Sequence, residues 1–141
     1  APIVRGARYG VDWQAYVRDI AEDLLVICQV ETRAAVENVA DILAVEGLDM
    51  VFIGPFDLSG SLGHLGEPDH PDVRAAIDAV EAAAKAKGCL LGGIPTPGRT
   101  PKDLYEAGYD LVLADIDLVF LREGARTGVA ALRQAAGRAG T

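Results

Sequence analysis

LLVICQVETRAAVENVADILAVEGLDMVFIGPFDL, residues 24–58, holds the pattern that decides the fold. Leu24 to Val30 is a nearly unbroken apolar run with two valines and an isoleucine, the composition of a strand buried on both faces as in a parallel sheet. Thr32 follows as a helix cap. From Arg33 the apolar residues Val36, Val39, Ala40 and Leu43 form one helical stripe, and Gly47 offers a left-handed stop. Met50 to Ile53 is a second strand-like run, leading into a glycine-rich loop from Gly54 to Gly66.

The same alternation extends in both directions. Upstream, Asp12 is placed to cap a helix whose Trp13, Tyr16, Val17 and Ile20 recur at helical spacing and which ends near Asp23. Downstream, Pro71 opens a helix striped by Val73, Ala76, Ile77, Val80 and Ala84 and closed by Gly88. Cys89 to Ile94 is a third strand. Thr100-Pro101-Lys102-Asp103 reads as a cap with proline in the first turn, opening a short helix that ends at Gly108. Leu111 to Ala114 is the fourth strand, and a last helix runs from about Leu118 to Ala136 before a Gly/Ala-rich tail that frays.

Strands alternating with helices, and no hairpin signal between them, predict an α/β fold with a parallel sheet. An open doubly wound sheet and half of a closed eight-stranded barrel both satisfy the pattern. After the first strand the chain gives Glu31-Thr32-Arg33-Ala34, no phosphate-binding loop, which weakens a nucleotide-binding fold.

With 141 residues, half of them hydrophobic, the chain is read as a single domain over 1–141, with a lead-in at 1–10, βα units at 11–137 and a tail at 138–141. A net charge of -8, with basic residues scattered among acids, argues against nucleic-acid and anionic-membrane partners. Apolar runs fall short of the roughly 18 residues that span a bilayer, and no signal segment opens the chain, so a cytoplasmic location is expected. Ala1-Pro2-Ile3-Val4, without an initiator Met, reads like the middle of a protein, so a cleaved or truncated chain is expected. Cys28 and Cys89 lie in apolar runs and read as reduced core thiols.

Ligands of parallel sheets gather beyond the carboxyl ends of the strands. Glu31 ends the first apolar run and Asp57 lies just past the second, so consecutive strands aim two carboxylates into one space. Such a pair holds Mg²⁺ or Mn²⁺, hard cations that keep positions open for water and substrate oxygens. On spacing alone, the plainer reading is two polar residues at a strand end and a turn. His64 sits in the glycine-rich loop and His70 at a helix entry, and neither is read as catalytic. Asp115 and Asp117 follow the fourth strand, Asp117 as a helix cap, and Glu67 to Asp72 reads as a solvated acidic loop.

Gln29-Val30-Glu31-Thr32 together with Gly54-Pro55-Phe56-Asp57-Leu58-Ser59, then Gly63, Gly66 and His70-Pro71, closely resembles the HpcH/HpaI aldolases from about Val11 to the last helix. These are metal-dependent class II enzymes that cleave 4-hydroxy-2-oxo acids to pyruvate and an aldehyde. The resemblance implies the C-terminal half of a (β/α)8 TIM barrel. It implies Glu31 and Asp57 as ligands of Mg²⁺ or Mn²⁺, with Co²⁺ as a further option, and Gln29 beside the bound 2-oxo acid. Phe56 stands where the family usually has a small residue whose backbone amide helps bind the substrate carboxylate. Ser59 reads either as a hydrogen-bond donor there or as a turn cap.

A whole barrel takes about 250 residues, so four strands make half of one. The resemblance puts the acid/base histidine and a substrate-contacting arginine in the first half, and Arg5 and Arg8 in the lead-in do not match them. No catalytic residue is therefore assigned within this chain. Alternatives are an acyl-CoA lyase of the citrate lyase β-chain type, which should need basic residues that do not cluster here, and a silent half-barrel assembly module. Partners implied are a small 2-oxo acid, and either a homo-oligomer, hexameric in the family, or a missing N-terminal half.

Overall fold

Four strands lie side by side in chain order, β1 (Ile27–Val30), β2 (Met50–Ile53), β3 (Leu90–Gly93) and β4 (Leu111–Val112), and every neighbouring pair is parallel. The computed structural model describes residues 3–137. Val30 pairs with Ile53, Ile53 with Gly93, and Gly93 with Val112, which brings the carboxyl ends of the strands level. Between β1 and β2 run α2 (Arg33–Glu37) and α3 (Val39–Leu43); between β2 and β3, α4 (Pro55–Ser61) and α5 (Pro71–Lys87). α6 (Pro101–Glu106) joins β3 to β4. A 3-10 segment (Arg5–Gly10) and α1 (Trp13–Asp23) precede the sheet, and α7 (Asp117–Ala135) follows it.

Successive strand residues face opposite sides. On one side Val30, Val51, Ile53 and Leu91 meet the stripe Val73, Ile77, Val80 and Ala84 of α5, joined by Leu43, Leu58, Leu104 and Tyr109. On the other side Phe52 lies over Gly92, where a Cβ would come within 2.7 Å of its ring, while Ile27, Gln29 and Leu90 are exposed. Helical cover on a single face is the winding of a barrel wall; a doubly wound sheet carries helices on both.

Local chemistry explains the boundaries that match the sequence reading. Thr32 accepts from the Ala35 amide at 3.1 Å. Thr100 and Asp103 form a reciprocal capping box at α6, whose hydroxyl and amide donors hold the Asp103 carboxyl below the usual carboxylate range. α5 ends at Gly88, where φ is +73°.

Other boundaries differ. The first strand covers only Ile27–Val30 and is not buried on both faces, because no helix covers the face that carries Ile27 and Gln29. The single helix expected from Arg33 is broken at Asn38, whose side-chain amide donates back to the Ala34 carbonyl at 2.7 Å. Part of the expected loop from Gly54 is the helix α4, begun by Pro55. β3 and β4 are shorter than their apolar runs. Asp12 makes no side-chain cap to α1, its carboxylate pairing instead with Arg8 at 3.1 Å. Asp117 is the first residue of α7 rather than its cap, and accepts from the Leu118 amide. The tail expected at 138–141 lies outside the described residues. Cys28 and Cys89 are free thiols, both half-buried rather than core. Among the described residues no helix is long and apolar enough to cross a membrane.

Candidate functional site

β1 and β2 run out together, and their last residues begin the site. The Gly54 amide continues the ladder by donating to the Val30 carbonyl at 3.1 Å. Gln29 and Glu31, two apart, share the face opposite Val30, and Gln29 Nε2 donates to Glu31 Oε2 at 2.6 Å. A Cβ on Gly54 would stand 3.1 Å from Gln29 Nε2 and 3.2 Å from Glu31 Oε2, so the half-buried carboxylate occupies space that a side chain would take.

α4 starts at once from Gly54. Pro55 fills its first turn, where no amide donor is needed, and Asp57 follows in the same turn. Leu58 and Ser59 are fully buried and fasten the helix to the core, leaving Phe56, 43% exposed, and Asp57 on the open side. The Ser59 hydroxyl donates to the Phe56 carbonyl at 2.6 Å rather than capping the helix. The far end of α4 is laced to the start of α2, the Ser61 hydroxyl accepting from the Arg33 amide at 2.9 Å and the Arg33 guanidinium reaching the Leu62 carbonyl. Segments leaving adjacent strands are thereby held together at one end of the sheet, Glu31 on the first and Asp57 on the second.

Two polar features escaped the sequence reading. Glu81, Arg99 and Tyr109 are 7%, 9% and 5% exposed and form one buried cluster. Glu81 Oε1 accepts from Arg99 Nη1 at 2.5 Å and from the Tyr109 hydroxyl at 2.8 Å. Burial opposes the Arg99 charge, but the hydrogen bond and negative charge of Glu81 outweigh it and the guanidinium pKa is raised. Burial, then the Glu81 charge and hydrogen bond, push the Tyr109 phenol up. One sequence signal existed: Glu81 stands four residues after Ile77 on the buried stripe of α5. The second feature is Asp69, expected to be only solvated. Its carboxylate accepts from Thr96 Oγ1 at 2.5 Å and from the Gly98 amide at 2.8 Å, pinning the segment after β3. His70 is the N-cap of α5, in line with its reading as a helix-entry residue. Asp115 and Asp117 are exposed, and each accepts from the backbone amide that follows it.

A parallel sheet covered by helices on one side has the architecture of an α/β barrel wall. The family model described as HpcH/HpaI aldolase/citrate lyase matches residues 6–124, and the chain belongs to that family. It is 39% identical over 128 residues to the hydroxypyruvate/pyruvate aldolase of Chromohalobacter salexigens, covering 87% of this chain and 48% of the relative. Against a 4-hydroxy-2-oxo-heptane-1,7-dioate aldolase of Salmonella paratyphi C it is 40% identical over 114 residues, covering 78% of this chain and 42% of the relative. Among solved structures, an HpcH/HpaI aldolase/citrate lyase family protein from Burkholderia cenocepacia J2315 superposes with a TM-score of 0.83 at 36% identity, over 94% of this chain and 51% of that one. The four βα units are thus the fold of TIM-barrel-like relatives, and the chain spans about half the length of the curated relatives it matches.

Proposed function

We propose that this chain supplies the metal-binding part of a pyruvate-type aldolase, one that cleaves 4-hydroxy-2-oxo acids to pyruvate and an aldehyde, with Glu31 and Asp57 as ligands of Mg²⁺ or Mn²⁺. The observation that carries the reading is the placement of both acids at the carboxyl ends of adjacent parallel strands, with Gly54 leaving the room that the Glu31 carboxylate occupies. An all-carboxylate donor set suits a hard cation that retains open positions. When bound, such a cation acts as a Lewis acid, stabilising the oxyanion that develops as the carbon–carbon bond breaks.

The chain's own groups have separable tasks. Gln29 holds one Glu31 oxygen by its 2.6 Å hydrogen bond and so sets the direction of the carboxylate. The first amides of α4, at Phe56 and Asp57, lack intrahelical partners and offer donors to a substrate carboxylate. The Phe56 ring, exposed beside them, narrows the entry and disfavours a bulky aldehyde half.

Calorimetric titration with Mn²⁺ is the test. Glu31→Ala and Asp57→Ala are each expected to abolish binding at neutral pH, and unchanged affinity in both would overturn the assignment. Pyruvate release from 4-hydroxy-2-oxo acids, with and without Mn²⁺, tests the reaction class.

A further inference from the structure

His64, His70 and Asp72 meet where the segment after α4 turns into α5, on residues the aldol chemistry does not use. The two imidazole rings stack with centroids 3.5 Å apart and planes 14° from parallel. His64 Nε2 lies 3.0 Å from Asp72 Oδ2, and His70 Nδ1 lies 3.9 Å from the same oxygen. The ligand atoms of all three residues fall within 4.8 Å of one another. Ligands around one cation at bond lengths of about 2.0–2.2 Å stand roughly 3.0–3.5 Å apart, so rotations of about 1 Å close the set.

We propose that His64, His70 and Asp72 form a cation site of borderline-soft preference, for Zn²⁺ or a similar imidazole-seeking metal, separate from the carboxylate pair of Glu31 and Asp57. Two nitrogens and one oxygen select such ions over Mg²⁺, which takes oxygen donors. The histidine side chains are 26% and 29% exposed and that of Asp72 is 70% exposed, so the site is reached from solvent and keeps a position for water. Binding splays the stacked rings so that their in-plane lone pairs converge. It also takes His70 Nδ1 from the Asp72 amide, which donates to it at 3.2 Å.

A cation there ties two ends of one connection. His64 follows α4, its amide bonded to the Ser59 carbonyl at 2.7 Å, while His70 and Asp72 open α5. The segment between them contains Asp69, which holds the turn at Thr96 and Gly98. Occupation therefore clamps the connection that follows β2, whose Asp69 already holds the one that follows β3, at the same end of the sheet as Glu31 and Asp57.

The experiment uses the full chain carrying Glu31→Ala and Asp57→Ala, so that its outcome does not depend on the aldolase reading. Zn²⁺ titration followed by calorimetry should show one micromolar event, with imidazole proton resonances shifting as the stack opens. Adding His64→Asn, or His70→Asn, which keeps a good N-cap, should weaken that event about tenfold or more with the helical circular dichroism unchanged. Absence of Zn²⁺ binding in the Glu31/Asp57 background, or binding that survives both asparagine variants, would refute the site. Loss of Mn²⁺ binding on Glu31→Ala or Asp57→Ala is a separate result that bears only on the carboxylate pair.

Discussion

A methyl group on Gly54 would stand 3.1 Å from both Gln29 Nε2 and the Glu31 Cβ, and 3.2 Å from Glu31 Oε2. The backbone there, φ -102° and ψ 84°, is open to any residue, so packing alone opposes a side chain. Gly54→Ala should therefore fold normally yet displace the Glu31 carboxylate by a few tenths of an ångström, lowering Mn²⁺ affinity about tenfold. Calorimetry beside a thermal melt separates the two effects, and an unchanged affinity would remove Gly54 from the site. The positions of Glu31 and Asp57 just past two successive strands were legible from where the apolar runs end, whereas the ligand roles proposed for them, and the place proposed for Gln29, came only from the motifs that resemble the family. Apart from the place of Glu81 on the α5 stripe, the cluster of Glu81, Arg99 and Tyr109 was not legible: its members meet only after α5, β3 and α6 have packed, and nothing beside Arg99 in the chain marks it as buried. Such a pair is costly to break, since removing one member leaves the other charge without a partner, at about 3–5 kcal/mol.

α4 carries Phe56 and Asp57 on seven residues, too few for a helix to persist by its own propensity. Its stability comes from tertiary contact through Leu58, fully buried against the core. Leu58→Ala is expected to cost about 3 kcal/mol in equilibrium urea unfolding, whereas Phe56→Ala should cost less, because Phe56 is 43% exposed where Leu58 is fully buried. Equal losses would contradict the anchoring described. The same dependence on packing hid α4 in the sequence, where Gly54, Ser59, Gly60 and Ser61 read as loop. α5 was legible from end to end, since proline, a long apolar stripe and a terminal glycine agree. The break at Asn38 was masked by apolar residues that keep helical spacing on both sides of it.

At the scale of the molecule, the parallel order was legible from the alternation of elements, but the exposure of β1 was not, because an apolar run does not say which of its faces a helix covers. Ile27 and the residues before it, Leu24, Leu25 and Val26, are exposed along an open sheet edge. α7 contributes nothing buried, with Leu118, Leu121 and Leu132 at 67%, 71% and 72% exposure. Apolar surface on this scale favours association. Sedimentation of the chain at micromolar concentration should show species larger than a monomer; a compact monomer with α7 protected would count against that expectation. The strand order itself bears on how the chain finds its shape. Each strand pairs only with those adjacent in sequence, so every closure is made across a single crossover, and the longest joins Met50 to Leu90 around α4 and α5. Chain entropy opposes that closure most. The ordering of β2 against β3 is then expected to be the slow event of folding, with the shorter crossovers to β1 and β4 adding to a sheet already begun; stopped-flow refolding in which Val51→Ala slows folding no more than a β4 variant of equal stability loss would contradict it.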